Sequence, residues 1–215
     1  MQNVLNTLYL LVGLAIALAV HEYAEAFMAA RFGDLSAKRM GWMRFNLRAM
    51  VDPFGTLLLP GLLLLPVLFG REAFLPFAYA RPMPLNPWNL RHRDRDATLV
   101  ALSGPVANVA LAFVWGGLIR LTTGGQTLLF LAFALQATVV LGVLNLIPIP
   151  PLDGSRIILR FLPPRAREFY ANLQQYAALF MLVIFFLLST PIDRFVVAVG
   201  NGICSLVAGG SCIGP

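Results

Sequence analysis

A cluster of ionisable residues interrupts the first apolar segment of the chain. His21, Glu22 and Glu25 follow a long uncharged run that begins near Leu8. Residues four apart share one face of a helix, so His21 and Glu25 project together, and Glu22 lies about 100° round the same helix. An imidazole beside two carboxylates can ligate a divalent metal and activate water. The pattern therefore indicates a metal-dependent hydrolytic site.

A structural role is the competing interpretation of the same residues. A charged side chain at the centre of a membrane helix costs roughly 2.5–3.5 kcal/mol on the insertion scale, so three ionisable groups require compensation. Arg31 lies six residues after Glu25, about 9 Å along a helix axis. The cluster could thus mark a helix end whose side chains reach water or pair with Arg31. This segment alone leaves both interpretations open.

A second polar element lies far along the chain, where Asn145 is followed by three prolines at 148, 150 and 151 and then by Asp153. The prolines forbid regular helix. Irregular backbone at membrane depth is tolerated where it is packed in protein or lines a cavity. The charges of the loops place the end of this segment and the end of the first helix on the same side of the membrane. We therefore expect His21 and Asp153 to meet at one site.

Taken together, these motifs resemble the site-2 protease family of intramembrane zinc metalloproteases. The resemblance spans about residues 15–165, and its motifs are His21-Glu22, Asn145-x-x-Pro148, Leu152-Asp153-Gly154, Gly104-Pro105-x-Ala107-Asn108, Asp52-Pro53-x-Gly55 and Tyr79-Ala80-Arg81-Pro82. It implies one zinc per chain, with His21 and Asp153 as ligands and Glu22 as general base. It also implies that Asn145 and Asn108 meet the substrate backbone or line the site. For Asn108, a hydrogen bond between packed helices is an equal alternative.

Position 25 departs from the family pattern, because glutamate stands where the family has its second histidine. Carboxylate oxygen also ligates zinc, at about 2.0–2.2 Å, so we predict a set of His21, Glu25 and Asp153. This set is more anionic than the family's and would also suit another divalent ion. The alternative is a site that has lost its metal. The remaining histidine, His92, lies in a basic loop and is interpreted as solvated.

The composition predicts how these residues are positioned. Hydrophobic residues make up 59% of the chain and charged residues 12%, whereas soluble domains carry about 25% charged residues. We predict an all-α polytopic membrane protein, a bundle of about 4–6 transmembrane or re-entrant helices with short membrane-associated β strands. It would form a single domain over 1–215, with a core of about 4–165 and C-terminal helices over about 166–215. The long apolar segments are 4–30, 98–119, 127–147 and 170–189, the shorter ones are 54–69 and 195–208, and the strands are expected in 37–47 and 76–87.

The basic residues predict the orientation in the membrane. The net charge is +6, and the basic residues are concentrated in short loops between apolar runs, which is typical of cytoplasmic loops. No nucleic-acid recognition motif accompanies them. We expect the plasma membrane, with the active site toward the cytoplasmic side. The basic segments 31–52 and 71–96 would both face the cytoplasm, so segment 54–69 would either dip into the membrane and return or lie in the interface. Pro150–Glu168 would lie inside and Thr190–Arg194 outside. Cys204 and Cys212 are expected to be free thiols.

Two functions from different classes compete, with a third at a distance. The first is an intramembrane metallopeptidase that cleaves single-span membrane protein substrates within the lipid bilayer. The second is a catalytically impaired pseudoprotease that binds transmembrane helices. The third is a small transporter whose broken helix near Pro148 lines an ion pathway. Nucleic acid is not expected as a partner.

Overall fold

The structure is a computed structural model, and the part of the chain that it describes is mostly helical. The described residues are 2–44, 51–58, 61, 81, 83–150, 152–174, 176 and 189–210. The α-helices in chain order are α1 (Gln2–Phe32), α2 (Ser36–Arg39), α3 (Arg93–Leu121), α4 (Gly125–Asn145), α5 (Asp153–Leu159), α6 (Pro164–Gln174) and α7 (Ser189–Ala208). Single helical turns of other types occur at Trp42–Arg44, Pro53–Leu58 and Pro87–Asn89. The protein is an all-α membrane protein, as its composition predicts.

Three of these helices, α1, α3 and α4, are long and apolar enough to cross a membrane. Each packs against the other two, and the second half of α4 is buried over most of Leu131–Leu144. Where α1 and α4 cross, Gly13 lies so near that an added Cβ would come within 2.5 Å of the Ala134 Cα. Small residues permit such approach, and close packing is what holds membrane helices together.

A tight turn joins α3 to α4. Gly124 and Gly125 have φ values of 130° and 77°, a backbone region that favours glycine. The two helices are therefore antiparallel neighbours. At its other end, α3 begins beside two acidic residues, and the Asp96 carboxylate accepts a hydrogen bond from the His92 backbone N–H at 2.8 Å. Acidic side chains stabilise a helix N-terminus.

The segment before α3 is fastened to the end of α1. The Asp34 side chain is buried and accepts hydrogen bonds from Ser36, from the Asn86 backbone N–H at 2.7 Å and from the Asn89 amide at 3.0 Å. The Arg91 N–H donates to the Phe32 carbonyl. The loops after α1 and before α3 thus lie at the same end of the bundle, the arrangement that the loop charges predict.

We expect removal of the Asp34 carboxylate to loosen this connection. Burial raises the pKa of Asp34, but the hydrogen bonds from Asn89, Ser36 and Asn86 outweigh it and hold that pKa below the ordinary 3.8. The carboxylate therefore stabilises the fold above about pH 4, and this contribution is lost as the pH falls through the lower folded-state pKa. Asp34→Ala should lower the free energy of unfolding by about 1–3 kcal/mol at neutral pH, measured by thermal or denaturant unfolding in detergent. A variant as stable as the wild-type protein at pH 7 would contradict this.

The expectation of short strands is wrong where the structure tests it. Residues 36–39 are α-helix and Trp42–Arg44 form a helical turn, and no strand occurs among the residues that the structure describes. Trp42 is buried in a cluster with Ala26, Ala29 and Met83. Alternation of polar and apolar residues here reflects a short helix lying against the end of α1, because one buried face gives a similar pattern over so few residues. Residues 45–47 and 76–80 lie outside the described residues.

The direction of α7 corrects the predicted topology. Near its C-terminus, Val207 packs against Gly116 toward the far end of α3, and near its start Val196 is buried in a cluster with Val143 and Leu144 at the end of α4. Helix α7 therefore starts at the end of the bundle that carries Asp153 and runs to the opposite end. The placement of Thr190–Arg194 on the side opposite Pro150–Glu168 is wrong. Loop charge could not decide it, because a single arginine, Arg194, lies there.

Two further expectations concern the C-terminal part. The segment predicted to cross at 170–189 begins inside α6, where Tyr170 donates a hydrogen bond to the Pro148 carbonyl at 3.0 Å. Most of this segment lies outside the described residues, as does most of 54–69.

Cys204 is disulfide-bonded, so the expectation of a free thiol at this position is wrong. Spacing alone could not distinguish a bridge from two thiols, because a disulfide requires the two Cα atoms to lie within about 7 Å of each other.

Candidate metal centre

His21 lies deep in the bundle, held between α3 and the start of α5. Its side chain is 2% exposed. The ring Nε2 lies 2.8 Å from Asp153 Oδ2, and the Asn108 Nδ2 lies 3.1 Å from the ring Nδ1. The meeting of His21 with Asp153, separated by 132 residues, is thus observed as the sequence predicts. A helix end reaching water does not describe this site.

The chain between α4 and α5 turns sharply to deliver Asp153. Helix α4 ends at Asn145, and hydrogen bonds from Ile149 to Ile147 and from Leu152 to Ile149 close successive turns. Gly154 lies against the carbonyl oxygens of Leu146 and Ile147, which an added Cβ would overlap. Asp153 is therefore the first residue of a short helix that is pressed onto the end of α4, and its carboxylate points into the bundle beside His21.

Glu25 completes a group that could hold a cation. It is one helical turn beyond His21, and one ligand atom from each of His21, Glu25 and Asp153 can be chosen so that all three lie within 4.8 Å of one another. Glu25 is 2% exposed, and its Oε1 has no hydrogen-bond partner, nor has Oε2 of buried Glu22. Buried carboxylate oxygens without partners are costly unless a proton or a cation satisfies them. The donor set therefore fits a divalent metal ion.

Arg156 is a part of the site that the sequence analysis missed. Its Nη1 lies 3.6 Å from Glu25 Oε2 and 3.8 Å from Asp153 Oδ1, and its side chain is 18% exposed. Sequence analysis had assigned it to a basic cytoplasmic loop. The available signal was its position three residues after Asp153 on a helix, which places both side chains on one face. The guanidinium offsets part of the negative charge of the three carboxylates.

Comparison with known proteins identifies the family. The family model for peptidase family M50 matches residues 116–189. A Bacillus subtilis (strain 168) protein named "Putative zinc metalloprotease YwhC" is 33% identical over 198 residues, which cover 87% of this chain and 83% of the relative. The chain belongs to peptidase family M50. This is the site-2 protease family to which the sequence motifs point, so that resemblance is confirmed.

Another M50 relative is longer than this chain. A Mycobacterium tuberculosis (strain ATCC 25618 / H37Rv) protein named "Putative zinc metalloprotease Rip2" is 35% identical over 179 residues, which cover 80% of this chain and 64% of the relative. The chain therefore spans slightly less than two thirds of that protein. No solved structure matches the chain. Family membership and the buried His-Glu-Asp group together support a metal cofactor and a metallopeptidase of the site-2 type.

Within this M50 site, the two asparagines occupy different places. Asn108 is 1% exposed and contacts the His21 ring, while its Oδ1 has no hydrogen-bond partner. Asn145 is half-buried as the last residue of α4, and its amide donates to the Leu141 carbonyl at 3.0 Å. Among the described residues no hydrogen bond joins Asn145 to His21 or Asp153. The structure therefore brings Asn108 into the centre and shows no hydrogen bond from Asn145 to it.

Gly104 has a specific role that the sequence did not reveal. An added Cβ at this position would fall on the imidazole of His21. The sequence analysis named Gly104 only as part of a family motif and assigned it no role. In the structure, the His21 ring occupies the space that a side chain at position 104 would fill. The remaining histidine, His92, is exposed and lies at the start of α3, outside the group.

Proposed function

We propose that this M50 chain is an intramembrane metallopeptidase that hydrolyses peptide bonds of single-span membrane protein substrates with a metal-activated water. The observation that carries the proposal is the buried His21–Asp153 contact with Glu25 beside it. A site of this kind inside apolar helices is costly to build, so ionisable residues there indicate function.

The roles of the side chains follow from their positions. His21, Glu25 and Asp153 would hold one metal ion per chain, zinc by family, although two oxygen ligands also suit another divalent ion. Glu22 lies next to His21 with a carboxylate oxygen that has no partner. It would act as general base, accepting a proton from the attacking water and returning it to the leaving amine. Asn145 would bind the substrate backbone.

Asn108 has a second role open to it besides substrate binding. When Nε2 of a histidine binds a metal, its Nδ1 carries the proton and needs an acceptor. The amide of Asn108 faces Nδ1, and a flip of the amide would present its Oδ1, which lacks a partner. We therefore propose Asn108 as a positioning residue for the imidazole. Amide orientation is an assignment based on hydrogen bonding, so either orientation fits the same side-chain position.

The orientation proposed for the protein rests on its loops. The site lies in the half of the bundle nearer to the end where α1 ends and α3 begins, because His21 is in the second half of α1 and Asp153 follows the end of α4. The loops at this end carry most of the arginines and both loop ends are tied together through Asp34. An excess of arginine and lysine is typical of cytoplasmic loops. We propose that the protein lies in the plasma membrane with this end toward the cytoplasm.

A pseudoprotease that binds transmembrane helices is the second candidate, and Arg156 favours it. A guanidinium 3.6 Å from Glu25 and 3.8 Å from Asp153 partly balances two buried carboxylates. Such a charge partner would lower the cost of keeping the site without a metal. Because glutamate replaces the family's second histidine, the metal content of the protein decides between the two functions.

Metal analysis of the purified protein tests the proposal. We expect about one zinc or other divalent ion per chain, falling at least about tenfold in His21→Ala and Asp153→Asn, because each variant loses a ligand. Asn108→Leu should weaken binding about 10- to 100-fold, the usual effect of removing the partner of a ligating histidine. Helicity by circular dichroism controls for folding. A metal-free wild-type protein would support the pseudoprotease, and unchanged metal content in both ligand variants would contradict the ligand set.

A further inference from the structure

A second polar feature lies beside the metal centre, on the far side of Arg156. It is a cavity of about 420 Å³ between the first turns of α3 and the helices α5 and α6. Four arginines and one acidic residue line it: Arg93, Arg156, Arg160, Arg167 and Asp94. The formal charge of these five side chains is +3. The remaining wall is mostly apolar and includes Met83 and Leu159.

The arginines of this cavity differ in how their N–H groups are used. Arg167 is a fixed part of the wall, because its three side-chain nitrogens donate to the Leu162 carbonyl, the Asp94 carboxylate and the Arg160 carbonyl at 3.0–3.1 Å. It also neutralises Asp94, the one acidic residue. The positive charge that remains for a ligand therefore comes from Arg93 and Arg160, and in part from Arg156, which is also paired with Glu25 and Asp153.

Arg156 is the residue that points to a ligand. Its guanidinium is largely buried and forms ion pairs with Glu25 and Asp153 at 3.6 Å and 3.8 Å, which are longer than hydrogen bonds. In the part of the chain that the structure describes, it forms no hydrogen bond. The two ion pairs leave its N–H groups without a close hydrogen-bond acceptor, which an anion in the cavity would supply. Arg160 and Arg93 border the same cavity, and Arg93 is stacked on the ring of Trp88.

We propose that this cavity is a binding site for a phosphate group. The planar fork of a guanidinium matches two phosphate oxygens, and Arg is the preferred partner of such anions. A phosphate monoester carries close to two negative charges at neutral pH, which Arg93 and Arg160, together with the shared charge of Arg156, would balance. Arg156 would form the inner wall of the site, and Arg93 and Arg160 its entrance. The apolar wall would receive the carbon skeleton attached to the phosphate.

Two sources share this chemistry, a lipid headgroup and a soluble phosphate ester. The test uses full-length protein in maltoside detergent, which contains no phosphate. Calorimetry would measure binding of glycerol 3-phosphate and of dioctanoyl phosphatidic acid, with dioctanoylglycerol as the ligand that lacks the phosphate. We expect saturable binding of at least one phosphate ligand at one site per chain and none of dioctanoylglycerol.

Two double variants locate the site. Arg93→Gln with Arg160→Gln removes two exposed charges from the cavity and should weaken phosphate binding about 100-fold, since each charged hydrogen-bonding partner contributes about tenfold or more. Arg95→Gln with Arg165→Gln removes the same charge from exposed neighbours on α3 and α6 that do not line the cavity, and should bind like wild type. If glycerol 3-phosphate and dioctanoyl phosphatidic acid bind with equal affinity, the site is for a soluble phosphate ester. If phosphatidic acid binds much more tightly, the site is for a lipid headgroup. Absence of phosphate binding, or equal loss in both double variants, would overturn the proposal.

Discussion

Glu22→Gln should abolish peptide hydrolysis while leaving the metal in place, whereas Glu25→Gln should lose both. The two glutamates are three residues apart on α1 and are both buried, but only Glu25 belongs to the group whose ligand atoms lie within 4.8 Å of one another. Removing a general base typically lowers turnover about 10²- to 10⁴-fold. Losing a metal ligand should lower metal affinity at least about tenfold. Metal content and cleavage of a single-span substrate co-reconstituted in vesicles would be measured on the same preparations.

The pair provides its own control, because each variant replaces one buried carboxylate by an amide of the same shape on the same helix turn. A general effect of lost charge would therefore change both variants alike. Equal metal loss in both would contradict the division of roles between Glu22 and Glu25. Full proteolytic activity of Glu22→Gln would contradict its role as base and leave the metal site unaffected.

Gly104→Ala is the second change with a large expected effect. Its added Cβ would fall on the His21 imidazole, so either the ring turns away from Asp153 or α1 and α3 separate. Overpacking of this kind costs about 1–3 kcal/mol, and a displacement of about 1 Å at a catalytic group can cost about 100-fold in rate. We expect a lower unfolding temperature, at least about tenfold weaker metal binding and loss of peptide hydrolysis.

Gly117→Ala is the matched control for this variant. It makes the same substitution on the same helix, at an exposed position where the added Cβ meets no atom within 4 Å. Because alanine favours helix over glycine by roughly 0.5–1 kcal/mol, stability should be unchanged or slightly higher, with metal content and activity intact. The prediction for Gly104 would be wrong if both variants retained metal and stability equally.

Several features could be predicted from local sequence because they depend on composition and spacing. The excess of apolar residues requires helices whose backbone groups are satisfied internally, and the spacing of His21 and Glu25 places both on one helix face. The proline-rich stretch before Asp153 had to interrupt a helix. With the family motifs, these features were enough to predict that His21 and Asp153 meet, which the 2.8 Å contact shows.

Other expectations failed where the answer depended on a distant partner. The short strands expected near Trp42 are helix, because the buried face of that segment is defined by the end of α1. The predicted side of Thr190–Arg194 was wrong, and with it the direction expected for α7. A loop with one arginine does not indicate which end of α3 Val207 will pack against. The disulfide of Cys204 likewise depends on spatial proximity, which spacing does not encode.

By itself, the sequence determined a membrane-embedded bundle of helices in which one imidazole and three carboxylates must be compensated. Charge, apolar content and helical periodicity are properties of short segments, so they can be evaluated before the chain folds. Only the tertiary structure decided what surrounds those groups: the space left by Gly104 for the His21 ring, Asn108 at its other nitrogen, and Arg156 between the carboxylates and the basic cavity. Each of these relations joins elements from different parts of the chain, and packing of the helices alone brings them within contact distance.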